Sequence, residues 1–148
     1  MTKFQGSGFE IDVPESCIDS SVYTFVLPTE QQFTPYVTVR FEVVEKIDLK
    51  EYLTTKRNLL SDEVEDLEVI KEAFGKRGEW DVGLTEYEWG SGPARVFQKQ
   101  VCFLVTGSKN KVYVLTATDV ADNKEYSKAA FDQLLKTFTP NNIQVLGV

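Results

Sequence analysis

The chain lacks histidine entirely, and this absence removes several classes of active site. Histidine is the usual general base beside serine and cysteine nucleophiles, and it is the commonest transition-metal ligand. No glycine-rich phosphate loop is present, because Gly6-Ser7-Gly8 precedes a strand pattern and Gly90-Ser91-Gly92 forms a predicted hairpin turn. The 23 acidic residues show no EF-hand spacing. We therefore expect a protein without enzymatic activity, metal or other cofactor.

Basic clusters and long apolar runs are also missing. A net charge of −7 repels nucleic acid and anionic lipid headgroups. No apolar stretch approaches the ~20 residues that span a bilayer, and the first residues contain no apolar leader. The two cysteines, Cys17 and Cys102, lie in apolar surroundings typical of free thiols. We expect a cytoplasmic protein that binds no nucleic acid and does not insert into a membrane.

What the chain does have is a set of strand patterns and two amphipathic helices within one domain, residues 1–148. One helix is predicted to begin at Asp48, and the other spans Lys124 to Phe138. The order of strands, helix, strands and helix predicts an α+β fold, an antiparallel sheet with two helices packed on one face. The predicted strands are Phe9–Val13, Val22–Leu27, Tyr36–Val44, Leu67–Phe74, Trp80–Trp89, Arg95–Thr106 and Lys111–Thr118.

Several of these strands read apolar on both faces, whereas two helices on one face would shield only that side. We therefore expect a hydrophobic surface that is left for a partner. Gln98 and Gln100 share a strand face, which is either solvated or offers amide groups to a bound chain.

The sequence alone does not orient the other strands, because a shift of one residue inverts both faces. Val37 and Val39 alternate with Thr38 and Arg40, and either pair is able to meet the helices. On the first helix, Lys56, Leu60 and Val64 form a ridge that belongs either to the core or to the wall of a groove.

A set of short motifs recurs in order along nearly the whole chain: Phe9–Pro14, Asp19 and Ser21, Phe25–Pro28, Arg40, Glu51-Tyr52, Tyr87–Trp89 and Gln98–Val101. In these motifs the chain resembles the small cytoplasmic Eag chaperones of type VI secretion, within the DcrB/Mog1/PsbP-like superfamily. It departs from their pattern at Cys17, where a tryptophan is usual, and at Val39, where a small polar residue is common.

The resemblance implies a Mog1/PsbP-like α/β sandwich with a strongly curved sheet. It implies a homodimer that binds the apolar N-terminal transmembrane helices of a type VI secretion effector before export. The alternative is an interaction module of the same superfamily that binds a soluble protein, for which we expect a polar exposed sheet face. The groove residues implied by position are Val22, Thr24, Val37, Val39, Leu60, Val64 and Gln100, with Gln98 added from its shared face.

Overall fold

The chain is built on two antiparallel sheets, described for residues 1–6 and 8–140 of the computed structural model. A two-stranded hairpin comes first, made of β1 (Thr2–Gly6) and β2 (Phe9–Val13). Gly6 ends β1 and Gly8 precedes β2, and Ser7 between them lies outside the described residues. The sequence did not predict β1, because Phe4 is its only large apolar residue and gives no period to recognise.

A six-stranded sheet carries the rest of the chain, in the order β3-β4-β8-β7-β6-β5. All neighbouring strands are antiparallel, which confirms the predicted sheet, and each predicted strand is found within three residues of its expected bounds. The strands are β3 (Tyr23–Val26), β4 (Tyr36–Val44), β5 (Glu68–Arg77), β6 (Trp80–Trp89), β7 (Val96–Val105) and β8 (Asn110–Val120).

The first helix, α1 (Leu49–Glu63), begins where the sequence predicts. The Asp48 side chain accepts hydrogen bonds from the backbone N–H groups of Lys50, at 2.8 Å, and Glu51. These bonds satisfy donors that the first turn of a helix leaves without an intrahelical partner. The second helix, α2 (Lys124–Thr137), follows β8 through a short 3-10 turn.

The two helices lie on opposite faces of the sheet, and this corrects the expectation that both pack on one face. Leu49 and Leu53 of α1 pack against Cys102 and Leu104 of β7. The alternate residues of β7, Val101 and Phe103, pack against Leu135 of α2. Because successive side chains of a strand point to opposite faces, the sheet has an α1 face, with Cys102, and an α2 face, with Phe103.

Strand order requires one long connection across the sheet. The chain between β4 and β5 must cross four strand positions, and α1 makes that crossing over one face. The continuous buried run from Val101 to Leu104 is then covered from both sides, with side chains 1–7% exposed. Element order along the chain does not determine on which side a connection passes, so the sequence pattern alone gave the wrong side for one helix.

Candidate functional site

Helix α1 covers only part of its own face. Leu53 packs directly on Gly83 of β6, where any side chain would collide with it, so α1 lies close to β6 and β7. Within residues 1–6 and 8–140, the apolar contacts of α1 on this face reach Val112 and Val114 of β8 and Val44 of β4, but they do not reach β3 or the positions of Thr38 and Thr116. Three neighbouring strands span about 10 Å, which is the diameter of one α-helix with its side chains. The uncovered part of the α1 face therefore has the width of a single additional helix.

A groove of about 270 Å³ runs between α1 and this uncovered part, and we call it the trough. Two leucines of α1, Leu59 and Leu60, form its apolar wall, and Leu59 is 53% exposed. On the outer side, Val26 of β3 lies on the same face and is 56% exposed. The lining residues are Arg40, Tyr52, Lys56, Leu59, Leu60, Glu63, Tyr87, Gln98, Gln100, Cys102 and Val114.

The floor beside the trough carries a row of neutral hydrogen-bonding side chains, which we call the ladder. Gln100 donates from Nε2 to Thr116 Oγ1 at 3.2 Å, and Gln98 makes the same bond to Thr118 at 3.0 Å. Each threonine hydroxyl retains a proton and a lone pair for another partner. The ladder consists of register partners on five adjacent strands, Thr24, Thr38, Thr116, Gln100 and Thr85.

The ladder corrects the expectation of an apolar open sheet face. Strand alternation places Thr38 and Thr116 on the α1 face, whereas Val37 and Leu115 point into the core under α2. The uncovered floor is therefore polar but uncharged along the ladder, and its apolar contacts come from the walls.

One end of the trough is charged. Tyr52 of α1 donates its hydroxyl to Glu42 at 2.6 Å, and Arg40 and Lys56 flank the same carboxylate. Burial, followed by the hydrogen bond to Glu42, raises the pKa of Tyr52, so the phenol stays protonated and remains a donor. Burial also raises the pKa of the Cys102 thiol, at the base of the trough, to about 12. Cys102 is therefore an inert packing group.

The structure brings three of the predicted site residues together. Leu60, Gln98 and Gln100 all line the trough. Thr24 is exposed on the ladder, and Val64 is partly buried at the end of α1, where its N–H donates to the Leu60 carbonyl. Val22 is 53% exposed directly before β3.

Val37 and Val39 do not share that surface, which corrects two of the predicted groove residues. Val37 is 1% exposed and packs with Phe131 of α2. Val39 packs against the core cluster of Leu115 and Leu135. The residues of β4 that do reach the α1 face are the alternatives, Thr38 and Arg40. Sequence reasoning also missed Thr116 and Tyr52, whose places depend on strand register and on the position of α1.

A larger cleft, of about 580 Å³, lies at the start of α1 beside Phe74 and Gly75. Its lining includes lysines and aspartates, and Asp48 already accepts the bonds from the first amides of the helix. We regard it as a surface hollow, because Asp81 pairs with Lys76 outside the cleft and the Lys50 ammonium lies over the Phe74 ring, so the polar groups do not converge on a common point.

The sequence model of the DcrB family matches residues 9–137. The chain belongs to the DcrB family. This DcrB-family chain is also similar to solved structures of the Mog1/PsbP-like fold, all at sequence identities that establish the fold alone. A search of curated proteins finds no match.

The crystal structure of PA94, a protein of unknown function from Pseudomonas aeruginosa, has a TM-score of 0.81 and 15% identity and covers 97% of this chain and 99% of PA94. LpqN of Mycobacterium tuberculosis, described as involved in cell envelope biogenesis, has a TM-score of 0.51 and 11% identity, covering 76% of this chain and 80% of LpqN. Cyanobacterial PsbP from Synechocystis sp. PCC 6803 has a TM-score of 0.51 and 12% identity, covering 88% of this chain and 98% of that protein.

Within the described residues, no helix has the length and hydrophobicity required to span a bilayer. The same residues contain no group of three or more cysteine or acidic side chains placed to hold a metal ion. What they do offer is the trough, with an apolar wall, a neutral polar floor and one charged end.

Proposed function

We propose that this DcrB-family protein is a non-enzymatic cytoplasmic chaperone that binds an apolar N-terminal helix of a type VI secretion effector before export. The observation that carries the proposal is the trough together with the uncovered part of the α1 face beside it, which has the width of one helix and is flanked by exposed leucine and valine. A helix destined for a membrane aggregates in water, and burying its apolar surface yields about 25 cal/mol per Å². The resemblance to Eag chaperones agrees with this role.

The ladder supports a transmembrane helix as the occupant. Such helices carry few charges and associate through close packing and through hydrogen bonds of small polar side chains. The ladder offers hydroxyl and amide groups without charge from Thr24 on β3 to Gln100 on β7, whereas its last member, Thr85 on β6, is 2% exposed. A polar floor between apolar walls therefore suits a helix that is mostly apolar but has serine, threonine or backbone carbonyl groups on one stripe.

A single trough covers one side of a bound helix, and the opposite side would remain in water. We propose that the protein acts as a homodimer, in which the second copy covers that side.

The alternative function is binding of a soluble protein partner by the same trough. The observation that favours it is the polarity of the ladder, because an exposed polar sheet face is what we expected of such a module. The two functions differ in what they require of the partner, since only the chaperone needs its apolar N-terminal helices.

Co-expression with a candidate type VI secretion effector that has apolar N-terminal helices tests the proposal. A stable complex is expected to form with the full effector, and deleting only its N-terminal apolar helices should abolish it. Thr38→Asp places a carboxylate on the ladder and should weaken the complex at least tenfold, whereas Thr106→Asp, at an exposed position after β7, should not. A complex that survives deletion of the helices refutes the chaperone and supports the alternative.

Sedimentation or light scattering of the complex tests the homodimer. We expect two copies of this chain for each bound effector, and a complex with one copy contradicts the proposed enclosure of the helix.

A further inference from the structure

We propose that the segment bound in the trough presents a carboxylate to Arg40 and Lys56. This inference rests on the proposed binding of a helical segment, and it adds the chemical group that fixes where the segment sits. The two cations reach the trough from different elements. Arg40 comes from the sheet, on β4, and Lys56 comes from α1. Their side chains are 40% and 39% exposed, so both are accessible to a bound molecule.

Glu42 does not satisfy these cations. Its Oε2 atom is 3.8 Å from Arg40 Nη1 and 3.6 Å from Lys56 Nζ, beyond hydrogen-bonding distance in both cases. The same oxygen accepts the short bond from Tyr52, which holds the carboxylate against α1. Within the part of the chain that the structure describes, the Arg40 guanidinium donates no hydrogen bond, so its planar fork of donors is free for a second carboxylate.

Local charge agrees with this assignment. Arg40, Lys56, Glu42 and the neutral Tyr52 together carry one excess positive charge, on a chain whose net charge is −7, and Glu63, the other acidic residue of the trough, lies about two helical turns further along α1 from Lys56. The Lys56 ammonium also lies 5.3 Å from the centre of the Tyr52 ring, which orients it toward the trough. A single acidic side chain among apolar residues would gain two charged donors here, whereas an acidic surface in general would be repelled by the rest of the protein.

The ladder crosses β4 next to this cation pair, since Thr38 of the ladder and Arg40 lie on the same face of β4 two residues apart. A helix whose carboxylate contacts Arg40 and Lys56 would therefore run with its adjacent turns over the threonines and Gln100. The charged end fixes the register, and the neutral ladder tolerates different sequences beyond it. The cation pair therefore selects for a segment with a carboxylate at one position. The ladder and the leucines of α1 contribute binding that depends little on the sequence of the segment.

Synthetic peptides test the inference without knowledge of the natural partner. The probes are labelled 20-residue helical peptides of leucine, alanine and serine with blocked termini. They form four pairs, and each pair has a single variable position in a different one of four successive turns. One peptide of a pair has glutamate at that position and the other has glutamine. Fluorescence anisotropy measures binding to the full chain. We expect glutamate in one turn to bind about fivefold tighter than glutamine, the gain typical of a partly exposed ion pair, and this gain to fall with added salt.

Arg40→Gln and Lys56→Gln should each reduce the glutamate preference, and the double variant should abolish it. Lys111→Gln is the matched control, because it removes one positive charge from the α2 face. Equal binding of both peptides at all four positions overturns the inference while leaving helix binding intact. Absence of binding by every peptide overturns helix binding in the trough as well. An unchanged preference in the double variant also overturns the assignment.

Discussion

Two adjacent residues of β4 test the assignment of faces on which the site depends. Val37→Asp places a carboxyl group where the native side chain is 1% exposed, between Ala117 and Phe131. Thr38→Asp places the same group one residue further on, on the partly exposed ladder. The two variants have the same added charge and lie on the same strand, so they differ chiefly in the face that receives the carboxylate.

The expected magnitudes differ widely. Removing the buried Val37 side chain costs about 2 kcal/mol of apolar burial. Burying a carboxyl group without a partner, or protonating it at neutral pH, costs about 3 kcal/mol or more in addition. A total of about 5 kcal/mol approaches the whole stability of an ordinary domain and corresponds to a fall in melting temperature of about 10–20 °C. Thr38→Asp should cost less than about 1 kcal/mol, because its carboxylate stays in contact with water.

Urea unfolding followed by tryptophan fluorescence, together with thermal unfolding by circular dichroism, measures both effects. The expected result is a severely destabilised or unfolded Val37→Asp protein beside a Thr38→Asp protein of nearly native stability. Equal destabilisation of the two variants would refute the assignment of Thr38 to the open part of the α1 face. A stable Val37→Asp variant would refute the core position of Val37 beneath α2.

Three further predictions follow from other contacts. Gly83→Val should destabilise the fold by about 1–3 kcal/mol in urea unfolding, because the new side chain collides with Leu53 and displaces α1. Stability should fall as the pH drops below about 5, because the hydrogen bond from Lys124, with that from Arg95, lowers the pKa of Glu88 in the folded state, and that stabilisation is lost on protonation. The Cys102 thiol should resist a thiol reagent at pH 8 in the native protein and react only after unfolding, because burial raises its pKa to about 12.

Each of these predictions has a control within the chain. Gly75→Val adds the same side chain in open space on β5 and should change stability by less than about 0.5 kcal/mol. Glu88→Gln should flatten the acid dependence, and an unchanged slope between pH 5 and pH 3 would contradict the role of that carboxylate. Cys17 is only partly buried and should react before Cys102, and equal rates for both thiols would contradict the burial of Cys102.

The sequence by itself determined most of the secondary-structure elements and the α+β fold class. Alternation and turn residues gave the strands of the six-stranded sheet, and the helical period with Asp48 as cap gave the start of α1, because these signals are local. The glutamines of β7 were recognised as candidate binding groups, because two polar residues at a spacing of two must share a strand face.

Only the tertiary structure decided which face each residue of β4 belongs to and how the site is assembled. Thr24 and Gln100 meet on one ladder through pairing between β3, β4, β8 and β7, and Arg40 meets Lys56 because α1 crosses the same face. Helix α1 covers part of one face of the sheet, and α2 covers part of the other. The hydrophobic pattern of β4 was therefore compatible with either set of its alternating side chains pointing toward α2. Strand register and the side on which a connection crosses depend on long-range packing, which no local pattern of residues contains.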